Sequence, residues 1–198
     1  MRISCVSAVI LAGGRSSRMG GLDKAFMRVG GKPAIERTVG LLQELFEEII
    51  VVTNNPEKYA RLCGVHLTRD VFLGKGPLAG FHAGLARARY PYCFVVACDM
   101  PFLRREPITF LHSLTRGFDA VVPVWEGDVE PLHAFYATRL VDLAGSLLTS
   151  GSYGLRSLLS RITVRYVDEE EMRAVPGSEE AFRNVNTPAD ALRYAVEL

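Results

Sequence analysis

The sequence predicts an α/β fold, in which a mostly parallel central sheet is covered by helices on both faces. Short, continuously apolar runs recur along the 198 residues, which is typical of strands buried on both sides. Segments with helical spacing of apolar residues separate most of these runs, as in βαβ units. The sequence contains no linker, low-complexity tract or internal repeat, so we expect residues 1–198 to form a single three-layer domain.

Each strand is predicted from a run of apolar or β-branched residues. The run at 3–11 stops at two glycines, and the run at 92–97 is the strongest candidate for a central strand. A brief extended piece is expected at 25–29, before a turn at Gly30 and Gly31. The remaining predicted strands cover residues 48–53, 66–70, 120–124, 132–136 and 163–167.

Helices are predicted where apolar residues recur every three or four positions. In residues 33–46, for example, Ile35, Val39 and Leu42 share one face of a helix. A last helix is expected from residue 188 to about 196, after a threonine that can cap it. The other predicted helices cover residues 57–63, 78–88, 107–114, 141–148 and 155–159, and residues 168–171 are expected to start a solvated helix.

Composition and charge exclude several classes of protein. The formal net charge is only +1, whereas binding to nucleic acid or anionic membranes through bulk charge requires a clustered positive excess. No apolar run reaches the roughly 18–20 residues that span a bilayer. The four cysteines form no Cys-x-x-Cys pair, and the four histidines lack the spacing of a zinc site. We therefore expect a cytoplasmic protein without a nucleic-acid or membrane partner.

A glycine-rich, cationic loop follows the first predicted strand. Gly13 and Gly14 allow backbone N–H groups to approach an anion, and Arg15, Arg18 and Lys24 bring positive charge to the same stretch. The loop matches neither the Walker pattern nor Gly-x-Gly-x-x-Gly. The residues therefore predict a phosphate-binding loop of another type.

Polar residues follow the next three predicted strands. Asn54 follows the second strand, Asp70 the third and Asp99 the fourth. Ligands of open α/β sheets bind at the carboxyl ends of strands, so these side chains are expected near one ligand. A carboxylate at the end of an apolar strand is costly to bury unless it is paired or binds a cation, and Mg²⁺ needs only one or two such ligands. Asp99 is therefore a candidate Mg²⁺ ligand.

The string from Leu11 to Lys24 resembles the phosphate loop of nucleotidyltransferases. Later segments narrow this resemblance because they follow in a matching order: Asp70, then Gly76-Pro77-Leu78-Ala79-Gly80, Asp99-Met100-Pro101 and Asn184-Val185-Asn186-Thr187-Pro188. Together these segments are similar to the molybdenum cofactor guanylyltransferase family. The resemblance spans residues 11–188 and implies a Rossmann-like nucleotidyltransferase fold.

The resemblance implies that the protein transfers GMP from GTP to the phosphate of molybdopterin, with Mg²⁺ as cofactor. Molybdopterin-delivery proteins are expected as further partners, and the protein is expected to be a monomer or a weak oligomer. Asp99 would bind Mg²⁺ and would act in catalysis together with Lys24 and Arg18. The expected nucleotide contacts are Leu11, Ala12, Gly13, Gly14, Arg15, Lys24, Asn54, Asp70, Gly76, Pro77, Leu78, Asp99 and Asn186. Asn55 is an alternative to Asn54 for the same contact.

Other functions stay open on the sequence. A molybdopterin cytidylyltransferase, or a transferase for another phosphorylated acceptor, would use the same scaffold. A non-catalytic nucleotide-binding subunit is an alternative from a different class. We expect His133 to be a packing residue rather than a catalyst, and Trp125 to lie in the core or at its rim rather than stack on a pterin.

Overall fold

The computed structural model describes residues 2–13, 24–185, 190, 193, 194, 196 and 197. Within these residues the strands are β1 (Val6–Leu11), β2 (Arg28–Val29), β3 (Lys32–Pro33), β4 (Glu48–Val52), β5 (His66–Thr68), β6 (Tyr92–Ala97), β7 (Ala120–Trp125), β8 (Asp128–Val129), β9 (His133–Ala137), β10 (Val164–Val167) and β11 (Val196–Glu197). Eight of them form the main sheet, in the order β10-β7-β9-β6-β1-β4-β5 with β8 paired to β7.

One side of the main sheet is entirely parallel. Strands β5, β4, β1 and β6 run in the same direction, and Val9 lies between Ile50 and Val95 in neighbouring strands. On the other side, β9 is antiparallel to both β6 and β7, while β10 is parallel to β7. The predicted α/β fold with a mostly parallel sheet is confirmed.

Helices cover both faces of this sheet. They are α1 (Ala34–Leu45), α2 (Pro56–Tyr59), α3 (Pro77–Arg87), α4 (Arg105–Ser113), α5 (Val141–Thr149), α6 (Leu155–Leu159), α7 (Glu169–Arg173) and α8 (Ser178–Ala181). Neighbouring residues of β1 belong to opposite cores: Ile10 belongs to the core that contains residues of α1 and α4, and Val9 to the core that contains residues of α3, α5 and α6. Both side chains are fully buried, which explains why the strand is almost entirely apolar. The exception is the buried Ser7, whose hydroxyl donates to Oε2 of Glu48 at 2.6 Å.

Helix α3 lies very close to β1. A Cβ atom on Gly84 would stand only 2.3 Å from Cγ1 of Val9, so a larger residue would force the helix away from the strand. One turn earlier, a Cβ atom on Gly80 would lie 3.4 Å from Cδ2 of Leu11 and 3.4 Å from Oδ1 of Asp70. This close packing brings the start of α3 to the carboxyl ends of β1 and β5.

A second, three-stranded antiparallel sheet corrects two predictions. The extended piece expected at 25–29 is a 3₁₀ turn at Lys24–Phe26 followed by β2, which pairs with β3 on one side and β11 on the other. Gly30 and Gly31 have φ angles of 57° and 77°, and they form the two-residue hairpin loop between β2 and β3. Residues 190 and 193 of the predicted last helix are helical, but position 196, its expected end, lies in strand β11, and positions 188 and 189 lie outside the described residues.

Several other elements differ from the predictions in length. The predicted helix at 57–63 is the single turn of α2, and β5 ends at Thr68, so Asp70 lies in a loop. The expected helix start at 168–171 is confirmed by a capping box, in which the Asp168 carboxylate accepts from the backbone N–H of Glu171. In the described part of the chain, no helix combines the length and apolar character needed to cross a membrane.

Candidate active site

The carboxyl ends of the four parallel strands form one connected edge. The N–H of Ala12, after β1, donates to the carbonyl of Val52 at 2.9 Å, and the N–H of Cys98, after β6, donates to the carbonyl of Leu11 at 3.2 Å. The N–H of Thr53, after β4, donates to the carbonyl of Thr68 at 2.8 Å. These bonds extend the sheet by one residue and fix the start of each following loop.

Asn54 and Asp70 form a reciprocal pair at this edge. Nδ2 of Asn54 donates to Oδ2 of Asp70 at 3.2 Å, and the backbone N–H of Asp70 donates to Oδ1 of Asn54 at 3.2 Å. Gly13 lies against this pair, because a Cβ atom there would be 4.0 Å from Nδ2 of Asn54. Asn55 is instead the residue before α2, and its N–H donates to Oγ1 of Thr53 at 3.2 Å. The pair with Asp70 is therefore made by the first asparagine.

The second carboxylate oxygen of Asp70 is buried and has no hydrogen-bond partner among the described residues. Burial raises the pKa of Asp70, and the hydrogen bond from Asn54 partly offsets this effect. Leaving a buried acceptor unpaired costs about 1–3 kcal/mol, so an unpaired buried carboxylate oxygen calls for an explanation. The unpaired oxygen is consistent with a site that is completed by another group.

Asp99 lies on the opposite side of β1 from Asn54, at the end of β6. Its side chain is half-buried, and its carbonyl accepts a hydrogen bond of 3.1 Å from the N–H of Val185. The C-terminal segment is thereby attached to the end of β6. Asn186, the next residue along the chain, lies outside the described residues.

Glu130 is a residue of this edge that the sequence analysis missed. It lies three residues before the first residue of β9, and a 3.1 Å bond from the N–H of Ala97 to the carbonyl of Leu132 holds the start of β9 at the end of β6. Burial and the negative charges of Asp128, Asp99 and Glu126 raise the pKa of Glu130 to about 7. An acidic residue before an apolar strand is a weak signal, and only the strand order brings it near enough to Asp99 for that charge to affect its pKa.

Both ends of the predicted phosphate loop converge on Tyr59 of α2. The buried Tyr59 hydroxyl donates to the carbonyl of Ala12 at 3.3 Å, and its ring lies 5.2 Å from the ring of Phe26. Lys24 opens the 3₁₀ turn that contains Phe26. The predicted loop residues Gly14, Arg15 and Arg18 lie outside the described residues.

The second glycine-rich loop leads into α3. Gly76 and Pro77 are exposed, whereas the side chain of Leu78 is fully buried, and its N–H donates to the carbonyl of Tyr153 at 3.3 Å. The Leu11 side chain is also buried. Any contact of these two leucines with a ligand would therefore have to involve the backbone.

Two conspicuous aromatic residues belong to the core, as predicted. His133 is fully buried between the rings of Phe94 and Phe182, and burial lowers its pKa to about 3. Trp125 has Phe182 stacked 4.9 Å away, and the Arg173 guanidinium lies 4.6 Å from its ring centroid. These contacts, together with its burial, leave Trp125 no open face on which a pterin could stack.

The site lies within a part of the chain that matches a known protein family. The family model described as the MobA-like NTP transferase domain matches residues 8–168. That range contains the loop after β1, the pair of Asn54 and Asp70, Asp99 and Glu130.

Two relatives and one solved structure show how far the similarity extends. A protein of Peptoclostridium acidaminophilum named probable molybdenum cofactor guanylyltransferase is 39% identical over 196 residues, which cover 96% of this chain and 88% of the relative. A protein of the same name from Pelotomaculum thermopropionicum is 38% identical, with 96% and 92% covered. The crystal structure of molybdopterin-guanine dinucleotide biosynthesis protein A from Archaeoglobus fulgidus superposes with a TM-score of 0.82 at 28% identity, with 95% and 96% covered.

Proposed function

The chain belongs to the MobA-like NTP transferase family and is a nucleotidyltransferase, and from this premise we propose that it transfers GMP from GTP to the phosphate of molybdopterin. The observation that carries the proposal is the joined edge of β4, β1 and β6, where Asn54, Asp70 and Asp99 follow neighbouring strands. The relatives named molybdenum cofactor guanylyltransferase, at 38–39% identity across almost the whole chain, support the choice of substrates.

In this proposal the nucleotide lies across the ends of β4 and β1. Asn54 and Asp70 hold each other in place and contact the nucleoside, and the backbone at Gly13 approaches the phosphates. Lys24, with Gly14, Arg15 and Arg18, neutralises the triphosphate. Gly76 and Pro77, which are exposed at the start of α3, complete the nucleotide contacts.

The residues around Asp99 fit a Mg²⁺ ion. Among the described residues, no group of three or more histidine, cysteine, aspartate or glutamate side chains could hold a metal on its own. Mg²⁺ does not require such a group, because it is commonly held by one or two carboxylates together with substrate phosphates and water. The negative charges that raise the pKa of Glu130, including that of Asp99, favour a cation at this edge. When bound at Asp99, Mg²⁺ would neutralise charge on the α- and β-phosphates.

The proposed step needs positioning and electrostatic stabilisation rather than a protein base. An ionised oxygen of the acceptor phosphate attacks the α-phosphorus of GTP, a new phosphorus–oxygen bond forms, and the bond to the β-phosphate oxygen breaks with release of pyrophosphate. The nucleophile has no proton to lose, so no general base is required. His133 is too deeply buried to act as one.

A nucleotide panel tests the proposal. The purified protein is incubated with molybdopterin, Mg²⁺ and either GTP, CTP or ATP, and pyrophosphate release is measured. We expect turnover with GTP. Turnover with CTP instead would identify a cytidylyltransferase, and nucleotide binding without turnover would favour a non-catalytic subunit. Omitting Mg²⁺ in the presence of a chelator should abolish the GTP reaction.

A further inference from the structure

The part of the loop between Asp70 and α3 that directly precedes the helix is held by Tyr153. This residue lies in the connection between α5 and α6, far from the loop in sequence. Nζ of Lys75 donates to the Tyr153 hydroxyl at 2.8 Å and also lies 4.6 Å from the centre of the Tyr153 ring. The Tyr153 carbonyl accepts from the N–H of Leu78 at 3.3 Å. One residue thus contacts the loop through its hydroxyl, its ring and its backbone.

The backbone of the loop is shaped to allow this approach. Gly76 has φ 71° and ψ −170°, a conformation open almost only to glycine. A Cβ atom on Gly76 would lie 3.0 Å from the carbonyl oxygen of Tyr153 and 3.4 Å from its Cβ atom. The contact between the two segments is therefore tight at the residue that precedes α3.

The other end of the same loop is tied to the proposed nucleotide site. Asp70 is held by Asn54, and its buried carboxylate oxygen lies against Gly80 in the first turns of α3. Between these points, Val71 and Leu73 are exposed by 74% and 69% and contribute no buried anchor. Phe72 packs edge-on against His82, with 5.3 Å between the rings.

We propose that Tyr153 is a positioning residue for nucleotide binding: by holding Lys75 and the start of α3, it keeps Gly76 and Pro77 in the conformation that receives the nucleotide. This inference rests on the proposed function of the loop. Tyr153 acts through the loop and does not itself contact the reacting groups. Its loss should therefore weaken nucleotide binding more than it slows the chemical step.

The test compares Tyr153→Ala and Tyr153→Phe with the wild-type protein. Loss of a cation–π contact and a hydrogen bond to a charged group is expected to weaken GTP binding about 5- to 20-fold in Tyr153→Ala, measured as Kd by calorimetry and as KM, while kcat changes by less than about threefold. Tyr153→Phe keeps the ring and should recover part of the affinity. The control is Tyr166→Ala, an exposed tyrosine on β10 at the opposite edge of the sheet, and it should bind GTP like the wild type.

A double-mutant cycle with Lys75→Met distinguishes the positioning role of Tyr153 from a direct contact between Lys75 and the nucleotide. If the two side chains act as a unit, Lys75→Met combined with Tyr153→Ala should bind GTP no more weakly than the weaker single variant. Wild-type affinity in Tyr153→Ala, or an equal loss in Tyr166→Ala, would overturn the inference. Should the wild type prefer another nucleoside triphosphate, the proposed choice of GTP fails, and the same variants test the positioning role with the preferred nucleotide.

Discussion

Among single residues, Asp99 is the one on which the proposed reaction depends most. Removing its carboxylate removes the proposed ligand for the ion that would neutralise the phosphates. We expect Asp99→Ala to lower kcat by about 100-fold or more, as when a charge-stabilising group is removed from other active sites. The melting temperature should change little, because the side chain is half-buried at the end of a strand. Pyrophosphate release and thermal unfolding are the two measurements.

Asp128→Ala is the matched control for this variant. Asp128 lies near the same edge and also contributes to the raised pKa of Glu130, but its side chain is 78% exposed and is 3.5 Å from the equally exposed Arg156. The control loses the same charge and should keep nearly the wild-type rate. A near-normal rate in Asp99→Ala, or an equal loss in both variants, would show that Asp99 does not have the proposed role.

The burial of His133 leads to a prediction of how acid affects the stability of the fold. Burial lowers its pKa from 6.5 to about 3, so between these values the unfolded chain binds a proton that the native protein does not. The stability associated with neutral His133 is complete above about pH 6.5 and falls by up to about 1.4 kcal/mol per pH unit below it. Replacing it, as in His133→Phe, should flatten the decrease in melting temperature between about pH 6.5 and 4.5.

Glu130 titrates in the opposite sense and must be separated from this effect. Its pKa is raised from 4.5 to about 7, so its contribution to stability is lost as the pH rises through that range. Because Glu130 is present in both proteins, the difference between wild type and His133→Phe isolates the histidine. The exposed His66 provides a control, and His66→Asn should follow the wild-type profile. Parallel profiles for wild type and His133→Phe would contradict the prediction.

At the level of elements, the short helix α2 holds the phosphate loop through Tyr59. Tyr59→Phe removes the hydrogen bond to the carbonyl of Ala12 and should destabilise the protein by about 1 kcal/mol. Because that carbonyl lies where the loop begins, we also expect KM for GTP to rise about fivefold, which corresponds to a similar free energy. Steady-state kinetics and denaturant unfolding measure the two effects.

Tyr92→Phe separates the loop effect from a general loss of stability. The Tyr92 hydroxyl donates to the carbonyls of Thr115 and Phe118, at 3.2 and 2.6 Å, from the first residue of β6. This is the end of the strand opposite to the candidate site. The control should lose stability as Tyr59→Phe does but keep the wild-type KM. If KM rises equally in both variants, α2 has no special role in holding the loop.

The elements that could be predicted from the sequence are those whose own side chains determine them. Strands β1, β4 and β6 are buried on both faces, so they are dominated by apolar residues and easy to recognise, although β1 contains Ser7 and β4 begins with Glu48. By contrast, β2, β3, β8 and β11 have two residues each. Such strands exist because of their pairing partners, and nothing in two residues predicts a partner that is distant in sequence.

At the scale of the whole molecule, the candidate site also combines residues that could be predicted from the sequence with one that could not. Asn54, Asp70 and Asp99 could be predicted because each follows a recognisable strand, and parallel strands present their ends at one edge. Glu130 could not, because its place beside Asp99 depends on β9 entering the sheet antiparallel, next to β6. Strand order is decided by the packing of the complete chain rather than by the sequence of any one strand.

The complete fold also brings the N-terminal and C-terminal regions together at the site. Val196 of β11 pairs with Val29 of β2 and shares a small core with Met27, Val29 and Val185. Its first residue, Met27, follows Lys24 closely in the chain, and its member Val185 donates its N–H to the carbonyl of Asp99. We therefore expect the small sheet to set the relative position of the phosphate loop and the end of β6.

Val196→Ala tests this coupling, with Val167→Ala as the control. Val196 belongs to the small core, so its truncation should raise KM for GTP about two- to fivefold, as for a loss of 0.5–1 kcal/mol, with little change in melting temperature. Val167 lies on β10, at the edge of the main sheet, and is fully buried in the same core as Ile10. Its truncation should lower the melting temperature and leave KM unchanged. A wild-type KM in Val196→Ala would show that the phosphate loop is positioned without the small sheet, since the variant removes part of its core while leaving every proposed nucleotide contact in place.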